Sequence, residues 1–127
     1  MEKTLNGIPI IQDELEAMKE LLHGKTITRY EFGDSMFPIL LSGEYAILTP
    51  ISNLNEIKIG DAVFCDVMGY LMTHKVIDKE NNNFLIGPTN PSNVAYGWTN
   101  KIYAIATSWK DNKDYKKRII VQEPINY

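Results

Sequence analysis

The segment Gly33-Asp34-Ser35-Met36-Phe37-Pro38 sets a serine between a glycine and a proline. A serine hydroxyl is a poor nucleophile until a neighbouring base removes its proton. Acyl transfer also needs N–H donors placed where the oxyanion develops. A sharp turn at a strand end would lift Ser35 out of a sheet and free nearby N–H groups, with Gly33 and Met36 as the turn and oxyanion residues. Asp34 reads as a turn former. Purely structural turns have the same composition, so the rest of the chain must decide. Two candidate bases stand side by side in Met72-Thr73-His74-Lys75-Val76-Ile77. Neighbours on a strand point to opposite faces, so only one of His74 and Lys75 can face Ser35. His74 would share a face with Met72 and Val76, and Lys75 with Leu71, Thr73 and Ile77. Both faces are partly apolar, and alternation leaves the choice open. A histidine is near its working pKa unaided, whereas a lysine must be desolvated to be neutral near pH 7. His74 is therefore the first candidate and Lys75 the alternative; a plain strand histidine with no catalytic role is the remaining reading.

Other chemistries find less support. Two histidines far apart and a single cysteine offer no metal-ligand spacing. No glycine-rich phosphate loop occurs, and no cofactor is expected. Asp61, after Gly60, reads as an acceptor for backbone N–H groups at a strand entry. Cys65, within Ala62-Val63-Phe64-Cys65, reads as a buried small hydrophobe and has no intrachain partner for a disulfide.

Further blocks follow the serine turn in order: Gly43-Glu44-Tyr45-Ala46-Ile47-Leu48, Ile57-Lys58-Ile59-Gly60-Asp61-Ala62-Val63-Phe64, Met72 to Ile77, and Phe84-Leu85-Ile86-Gly87-Pro88-Thr89-Asn90. Together they resemble the ordered blocks of the LexA/UmuD and signal peptidase superfamily of serine peptidases, from about Tyr30 to Trp109. The resemblance implies a compact, strongly bent antiparallel β fold with Ser35 as nucleophile. Most of that superfamily uses a lysine base. The histidine-type signal peptidases carry His-Arg-Val where this chain has His74-Lys75-Val76, which puts His74 on the base position. The family's Gly-Asp-Asn box is replaced by Gly87-Pro88-Thr89-Asn90. Pro88 stands in the aspartate's place, and no Asp or Glu occurs from Phe84 to Lys110. Asn90, or Asn93, could orient an imidazole through its side-chain oxygen.

These residues need a sheet to position them. Asp13 can cap a helix with an apolar stripe of Leu15, Met18, Leu21 and Leu22, stopped by Gly24. From there the pattern is strand-like: Ile27 to Phe32, Tyr45 to Leu48 ending at Pro50, Ile59 through Val67, Tyr70 to Ile77 after a Met68-Gly69 turn, and Phe84 to Ile86 after Asn81-Asn82-Asn83. Gly87 to Gly97 reads as a loop. Lys101 to Trp109 and Arg118 to Gln122 complete the strands. The fold class expected is mainly β with one short N-terminal helix, organised as residues 1–24, an N-terminal helical segment, and 25–127, the peptidase-like domain.

The length of 127 residues suits a single hydrophobic core. The 44% hydrophobic and 23% charged composition is that of an ordinary globular protein. A net charge of −3 gives no electrostatic case for nucleic-acid binding, and Lys116-Lys117-Arg118 reads as a solvated run. No signal peptide and no membrane span are apparent, so a cytoplasmic location is expected, with no membrane partner. Two functions remain. One is a serine endopeptidase or self-cleaving protein, acting on a polypeptide or on its own N-terminal segment, where Asn6-Gly7 and His23-Gly24 are the small-residue bonds before Ser35; a phage or mobile-element setting would suit it. The other is a catalytically weak or inactive peptidase-like module for binding or homodimerisation. One predicted helix cannot supply a helix-turn-helix, so the chain does not read as a complete DNA-binding repressor.

Overall fold

The computed structural model describes residues 3–5, 7–31, 44–88 and 94–108. Two short strands come first, β1 (Thr4–Leu5) and β2 (Ile8–Pro9), paired antiparallel. Gly7, in the turn between them, has φ +83°, which suits a residue without Cβ. Strands of two residues carry no readable alternation, so nothing in the residue pattern marks this hairpin.

The helix α1 (Glu14–Leu22) begins where Asp13 accepts a hydrogen bond from the Glu16 N–H at 2.8 Å, as expected of its cap. It stops before Gly24, where φ is +82°. Its buried face differs from the expected stripe. Ala17 and Leu21 are buried and Met18 is partly so, whereas Leu15 and Leu22 are 61% and 65% exposed. The contact runs through the small side chain of Ala17, which a reading based on large apolar residues overlooks.

Seven further strands form one antiparallel sheet: β3 (Ile27–Glu31), β4 (Glu44–Pro50), β5 (Ala62–Val67), β6 (Tyr70–Glu80), β7 (Asn83–Gly87), β8 (Gly97–Thr99) and β9 (Ile102–Ser108). Their order across the sheet is β3-β4-β9-β5-β6-β7-β8. The class is mainly β, with one helix among the described residues. Several boundaries move from the sequence reading, among them the end of β6, which runs past Ile77 to Glu80. Ile59 to Asp61 is not strand, because Gly60 adopts φ +100° and Asp61 closes a turn with Lys58. The segment read as loop up to Gly97 ends in the edge strand β8, paired with β7. The Met68-Gly69 and Asn81 turns occur as expected, with positive φ at all three residues. The strand expected at Arg118 to Gln122 lies outside the described residues.

Two main clusters form the core on opposite faces of the sheet. On one face, Ile27, Ala46, Leu48, Ala62, Phe64, Ala104 and Ala106 pack with Ile11, Ala17 and Leu21. The alanines on β4, β5 and β9 keep this surface low enough for α1 to sit against it. On the other face, Ile57, Val63, Cys65, Val67, Val76, Phe84, Ile86 and Ile102 cluster. The β1–β2 hairpin covers Ile47 with Leu5.

The sheet is strongly curved. Arg29 on β3 places its guanidinium 5.3 Å from the ring centre of Phe64 on β5, although β4 and β9 lie between those strands. The same guanidinium donates to the carbonyls of Ile11 and Gln12. At the other side, the Asp66 N–H donates to the Lys101 carbonyl and the Thr99 hydroxyl to the Asp66 carbonyl, so the end of β8 folds back on β5. Along the outer edge of β3, Ile10 pairs with Thr28, and the Gln12 side-chain amide both accepts from the Tyr30 N–H and donates to its carbonyl.

Candidate active site

Turn chemistry at the start of β5 fixes the first part of the site. Asp61 accepts from the Lys58 N–H at 2.8 Å through its carboxylate, the backbone-binding role expected of it. The Gly60 N–H donates to the Val76 carbonyl, and the Val76 N–H to the Asp61 carbonyl, each at 2.8 Å. These bonds lock the entry of β5 against the middle of β6. The register then sets Ala62 opposite Lys75 and Val63 opposite His74. On the other side of β6, Lys75 faces Gly87. Gly60-Asp61, His74-Lys75-Val76 and Gly87, remote from one another in sequence, thus occupy adjoining rungs of one sheet.

His74 and Lys75 project to opposite faces, as strand alternation requires. His74 lies across from Val63, on the face of Met72 and Val76. Its ring centre is 4.6 Å from that of Tyr96, with the planes inclined at 45°. Tyr96 is held there by its own N–H, which donates to the Ile86 carbonyl at 2.7 Å. Burial lowers the His74 pKa from its ordinary value of 6.5, which favours the neutral imidazole. A neutral imidazole can accept a proton, the first requirement of a general base. Lys75 is half-buried on the face of Ala62 and Leu71. Small neighbours flank it in register, Ala62 on one strand and Gly87 on the other. Ile77 departs from simple alternation, because the pairing of β6 with β7 shifts between Val76 and Asp78.

The nucleophile candidate Ser35, with Gly33, Asp34 and Met36, lies outside the described residues, as do Asn90 and Asn93. The strands flanking the serine segment meet at Glu31 and Glu44, which are register partners. Glu44 is buried, and its carboxylate accepts the Ser108 hydroxyl at 2.5 Å. The sequence reading missed this pair, although the spacing of Glu44 with Ala46 and Leu48 already puts it on a core face. That is the face of Lys75 and not of His74, so Glu44 is not placed to orient the imidazole. Tyr96 was also missed, since nothing in an aperiodic segment marks which residue will reach β6.

Of the two candidate self-cleavage bonds, Asn6 lies outside the described residues. The other, His23-Gly24, sits at the end of α1, where the Gly24 N–H is donated to the Leu21 carbonyl at 3.0 Å. That helix end must unwind before the bond can enter an active site. Cys65 is fully buried, with its pKa pushed up to about 12 by burial and then by the charge of Asp66. It is a core residue, not a nucleophile.

Among the described residues no His, Cys, Asp and Glu group is arranged to hold a metal ion, and no helix is long and apolar enough to cross a membrane. No known protein family matches the chain, and no curated protein matches it.

Proposed function

We propose that the chain is a serine peptidase-like protein of the LexA and signal peptidase kind, with Ser35 as nucleophile, His74 as general base and Lys75 as the alternative base. The observation that carries this reading is the convergence of three sequence blocks on adjoining rungs. Gly60-Asp61 is bonded to Val76, and Lys75 lies between Ala62 and Gly87. The curved antiparallel sheet agrees with the bent fold expected for that superfamily.

In the reaction, the Ser35 hydroxyl attacks a peptide carbonyl as His74 takes its proton. Backbone N–H groups of the Gly33 to Met36 turn hold the oxyanion. The imidazolium returns the proton to the departing amine, and water then releases the acyl group from Ser35 by the same steps. The substrate would be a polypeptide, or this chain's own N-terminal segment.

Labelling with a fluorophosphonate probe tests the proposal. Labelling that requires Ser35 and is lost in His74→Ala supports the His74 mechanism; loss in Lys75→Ala alone assigns the base to lysine. No labelling of Ser35 in folded protein, and no cleavage products on incubation, would leave the second reading, a peptidase-like binding module. The absence of any acid from Phe84 to Lys110 favours that second reading.

A further inference from the structure

A wide groove of about 930 Å³ opens where the two turns that bound β6 meet the β8–β9 connection. Its size falls in the range of about 300 to 1,000 Å³ typical of small-molecule sites. None of the catalytic candidates lines it. Its lining includes two exposed apolar side chains, Trp98 and Met68, which are 41% and 83% exposed. The rest of the lining is rich in planar amides and carboxylates, with Asn81, Asn83, Asn100, Asp66 and Glu80.

Two features indicate more than an incidental surface. First, the only non-glycine residues with positive φ among the described residues are Met68 at 54° and Asn81 at 55°, and both line this groove. Asparagine tolerates that conformation, but methionine does not favour it, and a Met-Gly turn forgoes the less strained Asn-Gly alternative. Core packing does not explain Met68, since its side chain is in solvent. Backbone strain of this kind gathers at ligand-binding positions. Second, part of the polar lining is held in place by hydrogen bonds. Asp66 holds the Gly69 N–H with one carboxylate oxygen, and the Thr99 hydroxyl donates to the Asp66 carbonyl while accepting from the Lys101 N–H.

We propose that this groove binds a neutral saccharide. A sugar ring has an apolar C–H face suited to the Trp98 indole and Met68 thioether. It also has a rim of hydroxyls that both donate and accept, which side-chain amides match group for group. Two carboxylates against the one ammonium of Lys101 disfavour anionic ligands such as sugar phosphates.

The test is a titration of isotope-labelled full chain with maltotriose, cellotriose and chitotriose, followed by amide NMR. The expected result is a saturable shift with at least one of them, confined to groove amides and the Trp98 indole N–H. Trp98→Ala should weaken that binding by about tenfold or more. Met68→Asn should weaken binding while raising the melting temperature, which separates loss of the ligand contact from loss of fold. The proposal is overturned if none of the three gives a saturable shift, if the shifts lie elsewhere, if Trp98→Ala leaves the affinity unchanged, or if glucose 6-phosphate binds as tightly as the neutral sugars.

Discussion

The imidazole of His74 packs against the phenol ring of Tyr96, with 4.6 Å between ring centres. One residue comes from the middle of β6 and the other from the segment leading into β8. Their contact couples the candidate base to a surface segment.

Acid should destabilise the fold through His74. Its folded pKa lies below the unfolded value of 6.5 because burial disfavours the charged form. The unfolded chain therefore binds more protons just below that value, and stability falls as pH drops from about 6.5 through the folded pKa. Urea unfolding across this range should show the loss, and His74→Gln should flatten it.

The same shift separates the two bases kinetically. If His74 activates Ser35, the rate of fluorophosphonate labelling should rise with pH to a plateau, with its midpoint below 6.5. A rate still climbing in the alkaline range would assign the base to Lys75.

Replacing Gly87 should disturb both candidates. A Cβ there would come 2.9 Å from Ile77 Cδ1 and 3.3 Å from the Ala95 Cα. The isoleucine tip can turn aside, but Ala95 is backbone and must shift. Gly87→Ala should cost on the order of 1 kcal/mol. It should also loosen the adjacent Tyr96 and move the His74 pKa back towards 6.5, as measured by NMR titration.

Arg29 ties the start of α1 to the sheet through two backbone carbonyls and the face of Phe64. Arg29→Ala should destabilise the protein by about 2 to 4 kcal/mol, by leaving the buried Ile11 carbonyl and the part-buried Gln12 carbonyl without their charged donor. Chemical denaturation would measure the loss. Arg29→Lys should recover only part of it, because a lysine lacks the flat guanidinium that lies over the Phe64 ring.

Cys65 should resist thiol reagents in the native state. Its pKa of about 12 and its burial remove both the thiolate and the access that reaction needs. Modification by a chromogenic disulfide should therefore become fast only in denaturant.

The strands that position His74 and Lys75 were legible because they are rich in β-branched and aromatic residues and their turns carry distinctive residues, as at Met68-Gly69. The cap at Asp13 was legible for the same local reason. The buried face of α1 was misread because Ala17 does the packing that Leu15 and Leu22 were expected to do. Pairing partners could not be read at all. That Val76 meets Asp61, that Tyr96 reaches His74 and that Arg29 reaches Phe64 depend on sheet order and curvature, which arise from contacts between residues far apart in sequence.

Gln12 has a consequence for how copies of this protein meet one another. Its amide occupies the donor and acceptor that Tyr30 would otherwise turn outward from the sheet's border strand. A border with open main-chain groups can recruit strands from other molecules and seed aggregates. Here one side chain does the work of a missing strand at that rung, so Gln12 shields that part of the border from strands of other copies.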